Sequence, residues 1–203
     1  MPESATPERV GTMKAYGAEV ILTPKEKTIE YSRVYAKEQA DKKGYIILDQ
    51  FNNPNNRLAH IETTGPEIWR DTNQKITHFV SSMGTTGTIT GTSTFLKAQN
   101  PDIQIVGAQP EEGSRIPGIR KWSPETVPTI FEPKRVDRIE YVNTAQAMAN
   151  SRALATKEGI FAGMSTGGAC TIAMRVAAEL ESGLIVFIAC DRGDRYLSSE
   201  LYV

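Results

Sequence analysis

Gly84, Thr85, Thr86, Gly87 and Thr88 are five small residues in a row, and they close an apolar run that carries Phe79 and Val80. The stretch from Ile76 to Thr94 reads as a buried strand, a tight loop and the first turn of a helix that continues to about Gln99. This order of types suits one kind of chemistry, the holding of an anion. Amides at a helix start point outward, the helix dipole favours negative charge there, and glycines let backbone approach a ligand. Threonine hydroxyls add donors. The loop is therefore expected to cradle a phosphate. No Gly-Lys-Ser/Thr follows, so it is not a Walker loop, and the glycine spacing is not that of a Rossmann fingerprint. The plainer reading of the same residues is a strand-to-helix turn that binds nothing.

Two further stretches carry reactive types. Ser165 opens the run Ser165-Thr166-Gly167-Gly168-Ala169 ahead of an apolar helix, and Cys190-Asp191-Arg192-Gly193-Asp194-Arg195-Tyr196 follows an apolar strand pattern. Ser165 also fits a helix N-cap, and Cys190 a small core filler. The two cysteines, Cys170 and Cys190, are not at metal or redox spacing, and His60 and His78 lie far apart in sequence. No metal site is expected.

These loops sit within a chain that alternates helices and strands. A helix from Pro7 to Tyr16, with Thr6 as N-cap and Gly17 as stop, precedes a short strand at 19–22. A charged helix over 25–43 stops at Gly44, and Tyr45 to Leu48 is a second strand. Asp49 to Pro54 is a turn-rich loop, and a helix follows over roughly 57–71. After the central strand, loop and helix come a strand at 104–108 and an irregular stretch at 109–133. A strand at 139–142, a helix from Asn143-Thr144 to about Glu158, a long helix that follows the 165–169 run to about Leu180 and a buried strand at 184–189 complete the pattern. These elements predict an α/β fold with a parallel twisted sheet flanked by helices. In such sheets ligands bind beyond the carboxyl ends of strands, so the loops 49–54, 83–88 and 190–196 are expected to converge.

Composition excludes several classes. Of 203 residues, 39% are hydrophobic and 23% charged, enough apolar content for a packed core. The net charge of -1 offers nucleic acid no basic surface. The longest apolar run, Leu184 to Cys190, is too short to span a bilayer. The first ten residues hold no apolar signal core, and two free thiols suit a reducing compartment, so a cytoplasmic location is expected.

The quoted loops match a known family. DQFNNPNN, TTGPEIW, THFVSSMGTTGTITG, GAQPEEGSRIPGIRKW, EGIFAGMSTGG and CDRGDRYLS together resemble the cysteine synthases, fold-type II enzymes dependent on pyridoxal phosphate. GIRKW and CDRGDRY resemble the B type, O-acetylserine sulfhydrylase B. The resemblance implies that Gly84, Thr85, Thr86, Gly87 and Thr88 hold the phosphate of pyridoxal 5'-phosphate, and that Ser165 meets its pyridine nitrogen. It places Gln50 and Phe51 beside the substrate, links Arg120 and Trp122 to the choice of sulfur donor, and sets Cys190 in the lining of the site. Arg120 and the neighbouring Lys121 fit a solvated loop equally well. The implied reaction is β-replacement, in which O-acetylserine and sulfide (or thiosulfate) give cysteine (or S-sulfocysteine) and acetate.

The resemblance also has a gap. Measured against the family, the chain starts after about a third of the pattern, and the Schiff-base lysine and the loop that grips the substrate carboxylate have no counterpart in it. Residues 1–48 resemble the end of a smaller domain, and 49–203 most of a larger, phosphate-binding one. The expectations are that this chain alone is inactive and that it self-associates, as a homodimer or otherwise, to cover an incomplete sheet. A different fold-type II lyase or dehydratase, or a non-catalytic phosphate-binding fragment, are the alternatives.

Overall fold

Apolar side chains that cannot reach water define the middle of the molecule. Phe79 and Val80 are fully buried in β1 (His78–Ser82), and Ile105 and Val106 are buried in β2 (Gln104–Pro110). Removing one such side chain from water is worth about 1.5–3 kcal/mol. A computed structural model, which describes residues 1–202, joins these strands to β3 (Arg138–Val142) and β4 (Ile185–Phe187) in one parallel sheet of order β3-β2-β1-β4. His78 sits opposite Gln104 on one side and Ile185 on the other.

Parallel strands need crossover connections, and helices supply them. Helix α5 (Gly87–Gln99) joins β1 to β2, while α6 (Thr144–Glu158) and α7 (Met164–Ala178) lie between β3 and β4 in the chain. Asn143 starts α6 with a capping box, its side chain accepting from the amide of Gln146 at 2.9 Å. The chain thus moves outward from β1 through β2 to β3, then returns to the far side of β1. Its direction reverses between β1 and β4, and the crevice at such a reversal is where open α/β sheets take ligands. The α/β architecture expected from the sequence is the one that forms.

The described residues divide into two compact units, 50–193 and 1–49 with 194–202. In the larger unit, α3 (Asn55–Ala59), a π-helical turn (His60–Thr64) and α4 (Gly65–Asp71) pack closely on α5. In the smaller unit, α1 (Pro7–Ala15) follows Thr6, and α2 (Thr28–Lys43) ends at Gly44 with φ 70°. Arg9 there donates to the hydroxyl of buried Tyr196 at 3.2 Å.

Three expectations need correction. The strand at 45–48 does not form, and its apolar side chains stand out in water, Ile46 at 89% exposure and Leu48 at 78%. The strand at 19–22 shrinks to hydrogen bonds with the amino terminus and one bridge, Pro2 to Thr23. Strands persist through partners, and among the described residues neither segment has a full one. The last strand spans only Ile185–Phe187 and is half-buried, because β1 is its single neighbour.

Candidate functional site

As the chain leaves β1 it is held from both sides. The amide of buried Met83 donates to the Ala108 carbonyl at 3.0 Å, and its own carbonyl accepts from the Arg120 amide at 2.8 Å. Three residues later Thr86 takes a left-handed backbone, φ 70°, which a β-branched residue adopts only when its surroundings impose it. Its hydroxyl is buried without a hydrogen-bond partner among the described residues. Thr90 and Thr92 share that last property, so the hydroxyl alone marks nothing. What sets Thr86 apart is its strain and its place immediately before α5. Among the described residues no side chain bonds to the cap of that helix, and the Gly87 amide donates to the Thr85 hydroxyl at 3.3 Å. The first-turn amides of a helix have no partner inside it, so an anion bound here finds donors waiting.

The two glycines also make room for protein. A Cβ on Gly84 would lie 2.6 Å from the Gly118 carbonyl oxygen, and one on Gly87 would lie 2.0 Å from Asn56 Oδ1. They admit neighbouring protein to the loop, and the donors there are threonine hydroxyls and backbone amides. Phosphate fits this donor set, which is neutral and hydrogen-rich.

One wall of the site is built by Asn56. Its Nδ2 donates to the Gln50 carbonyl at 2.6 Å and to Thr85 Oγ1 at 3.2 Å, tying the 50–54 loop to the cradle. Trp122 Nε1 donates to the Gly84 carbonyl at 2.8 Å. Phe51 meets the Trp122 ring edge-on at 5.4 Å, and the Arg120 guanidinium carbon lies 6.0 Å from the Phe51 centroid and 5.4 Å from that of Trp122. Gln50, Phe51, Arg120 and Trp122 therefore gather beside Gly84 and Thr85. Gln50 itself is exposed. Asn56 was not singled out by the sequence, where it looks like one more turn former among the asparagines of Asn52 to Asn56.

Ser165 belongs to the other wall. It is buried in the first turn of α7, and Gly163, not Ser165, is the N-cap. The N-cap function falls to Asp191, whose carboxylate accepts the amides of Ser165 and Thr166 at 3.1 and 2.9 Å. Ser82, the last residue of β1, donates its hydroxyl to the Ser165 carbonyl at 2.7 Å, which links this wall to the cradle. Cys190 Sγ donates to Ser165 Oγ at 3.2 Å. Crowding around the sulfur pushes the Cys190 thiol up, and the bond to Ser165 only partly opposes this, so the thiol is protonated at neutral pH and available as a donor even though the residue keeps exposed surface. Gly118, at φ 91°, is glycine for a further reason: a Cβ there would lie 2.9 Å from Ser165 Oγ. The sequence offers Asp191 only as one member of the 190–196 run and gives it no role at the start of α7. Its signal was its place just beyond a strand of the sheet, in a run of charges.

Against known proteins, the family described as pyridoxal-phosphate dependent enzyme matches residues 1–191. Cysteine synthase B of Pseudomonas aeruginosa is 54% identical over 203 residues, and that of Escherichia coli (strain K12) is 52% identical over 202 residues. These matches cover 100% of this chain and 68% and 67% of those proteins. Among solved structures, an O-ureido-L-serine synthase superposes with a TM-score of 0.91 at 32% identity, over 100% of this chain and 67% of that one. The chain thus spans about two thirds of the length of these relatives.

Proposed function

The chain belongs to the pyridoxal-phosphate dependent enzymes, and within them to the cysteine synthases; from that membership we propose that its site holds pyridoxal 5'-phosphate and serves the β-replacement of O-acetylserine by sulfide, giving cysteine and acetate. The observation that carries this reading is the strained loop Gly84–Thr88 at the sheet's reversal, joined through Ser82 to the backbone carbonyl of buried Ser165.

The roles follow from the donors. Thr85, Thr86 and Thr88, with the amides at the start of α5, hold the phosphate by neutral hydrogen bonds. Ser165 Oγ accepts from the Cys190 thiol, which leaves its own proton for the ring nitrogen. When bound, pyridoxal phosphate supplies a conjugated ring that withdraws electrons from the substrate's α-carbon. A neutral hydroxyl opposite the ring nitrogen makes that withdrawal modest, which matches the loss of a good leaving group such as acetate. Arg120, set against Phe51 and Trp122, gives the substrate side a cation suited to an anionic sulfur donor, sulfide or thiosulfate, the latter yielding S-sulfocysteine.

Removing the α-proton needs a base, and two lysines of the larger unit face other groups: Lys97 pairs with Asp137, and Lys121 lies over the Tyr141 ring, while no lysine of the chain stands in the sequence context of the family's Schiff-base lysine. We therefore propose that the Schiff-base lysine is not among these 203 residues and that the chain alone does not turn over. On the same reading, residues 1–48 are the end of a smaller domain and the larger domain begins at 49. Self-association, as a homodimer, and a cytoplasmic location complete the proposal. Among the described residues no helix is long and apolar enough to cross a membrane.

The test uses pyridoxine 5'-phosphate, which lacks the aldehyde and cannot react with surface lysines. Saturable binding that is weakened in Thr88→Val, and no cysteine formed from O-acetylserine and sulfide when pyridoxal 5'-phosphate is supplied in place of the probe, are the expected results. Turnover at the rate of a full-length relative would overturn the claim of inactivity, and absence of phosphate-dependent binding would overturn the cradle.

A further inference from the structure

The helix that packs on α5 is broken by a single π turn, and that turn begins with a histidine aimed at the cradle. The Gly65 amide bonds to the His60 carbonyl, five residues back, and closes the turn. His60 Nε2 lies 3.2 Å from Thr88 Oγ1, and His60 Nδ1 lies 2.9 Å from Thr64 Oγ1, at the far end of the same turn. The close approach is built in by Gly91, one turn after Thr88 on α5. A Cβ at Gly91 would lie 2.3 Å from the Arg57 carbonyl oxygen and 2.7 Å from His60 Cβ. Glycines at 87 and 91 thus let the 55–64 segment descend onto α5 until the imidazole reaches Thr88.

We propose that His60 is a positioning residue for the phosphate, acting through Thr88. This rests on the cradle reading given above. A phosphate oxygen beside Thr88 only accepts, so the Thr88 hydroxyl must donate to it. Thr88 Oγ1 then has its lone pairs free, and Nε2–H of His60 fills one. Nδ1 is left without a proton and accepts from the Thr64 hydroxyl. The order Thr64 O–H to Nδ1, Nε2–H to Thr88 Oγ1, Thr88 O–H to phosphate is self-consistent with a neutral imidazole. Burial lowers the His60 pKa and so supports that neutral form at neutral pH. Without His60, the Thr88 hydroxyl is free to turn toward any other acceptor.

The experiment compares two probes, pyridoxine 5'-phosphate and pyridoxine, on the chain as it stands. In His60→Phe the affinity for pyridoxine 5'-phosphate falls about fivefold to tenfold, the worth of one neutral hydrogen bond, while the weaker affinity for pyridoxine is unchanged. In a Thr88→Val background the same substitution has no further effect. Equal losses for both probes, or an additional loss in that background, mean a merely structural role and overturn the proposal. So does a Thr88→Val that weakens phosphate binding while His60→Phe does not. If Thr88→Val leaves binding of the phosphate probe intact, the cradle reading itself fails and this inference goes with it.

A second measurement needs no variant. The chain has two histidines, so their ring resonances are separable by NMR. Adding pyridoxine 5'-phosphate shifts the His60 ring nitrogens toward the Nε2–H tautomer and leaves His78 still. His78 begins β1, at the opposite end of the strand from the cradle. A His60 signal indifferent to the phosphate probe, at concentrations that saturate binding, overturns the proposal.

Discussion

The carboxylate of Asp191 accepts both the backbone amide of Thr166, at 2.9 Å, and the Thr166 hydroxyl, at 2.6 Å. With its third bond, to the Ser165 amide at 3.1 Å, one side chain satisfies the opening of α7 and fixes the residue that carries the Ser165 hydroxyl. Loss of an N-cap acceptor costs about 1–2 kcal/mol, and here two amides are left in a partly buried site. Asp191→Ala is expected to lower stability by about that amount in urea unfolding. Asp191→Asn keeps one acceptor oxygen and should lose less. Equal stability of Asp191→Ala and wild type would show that α7 does not need this cap.

Two glycines on helices should respond to alanine with opposite signs. At Gly91 the new Cβ would press on backbone, the Arg57 carbonyl at 2.3 Å, and overpacking of this kind costs about 1–3 kcal/mol. At Gly11, inside α1, nothing lies within 4 Å of the new atom, and alanine is the better helix former by about 1 kcal/mol. Thermal melts of the two single variants check the pair. If Gly91→Ala is as stable as wild type, the helix contact that brings His60 to Thr88 is looser than described.

This pair shows how far the sequence carries. The strand, loop and helix from Ile76 to Gln99 were legible because burial of Phe79 and Val80, small residues and helix start all act within twenty residues. The capping box at Asn143 and the stop at Gly44 are local in the same way. Asn56, His60 and Asp191 were not legible, because their importance lies in partners 25 to 29 residues away, such as Thr85 for Asn56. The glycines at 84 and 87 have a second reason to be glycine that the sequence does not show. Their neighbours, Gly118 and Asn56, come from other segments, and only the fold reveals that those segments fill the space. The segments 19–22 and 45–48 have strand composition, yet composition supplies no partner.

Cys190 should be a slow thiol. Desolvation pushes it above its ordinary value of 9.0, and the nucleophile is the thiolate. Alkylation by iodoacetamide is expected to be slower at pH 7.5 than for a small-molecule thiol of ordinary pKa, and to speed up only as the pH passes 9. The bond to Ser165 pulls the other way, so Ser165→Ala raises the thiol further and slows the reaction again. A Cys190 that reacts like a free thiol at pH 7.5, located by mass, contradicts the desolvated setting. Cys170, buried on α7, is the internal reference and stays unmodified in the folded chain.

Ile46 and Leu48 present a strip of apolar surface that water disfavours, at 89% and 78% exposure. Light scattering should show association that rises with concentration. Ile46→Lys together with Leu48→Lys should shift the distribution toward single chains. A double variant with an unchanged mass distribution places the contact elsewhere.

Acid should unfold the protein in two separable stages. His60 and His78 both titrate below 6.5 in the folded chain, His60 through burial, His78 through burial first and then Arg138, with Glu179 opposing. The unfolded chain binds those protons near 6.5, so between the two values it holds more protons than the folded one. By linkage, the histidine contribution is fully present above 6.5 and is lost as the pH falls through the folded values. Glu132 and Glu179 are held below 4.5, by Arg135 and Arg138 respectively, so their contribution goes only as the pH falls below 4.5. Tm measured from pH 8 to 3 should therefore decline first below 6.5 and again below 4.5. Replacing both histidines by glutamine removes the ionisation without introducing a charge, and it should flatten the first decline while leaving the second. If the double variant keeps the full slope between pH 6.5 and 5, the histidines are as easily protonated in the fold as in the unfolded chain, and the neutral imidazole that orders Thr88 is not enforced by its surroundings.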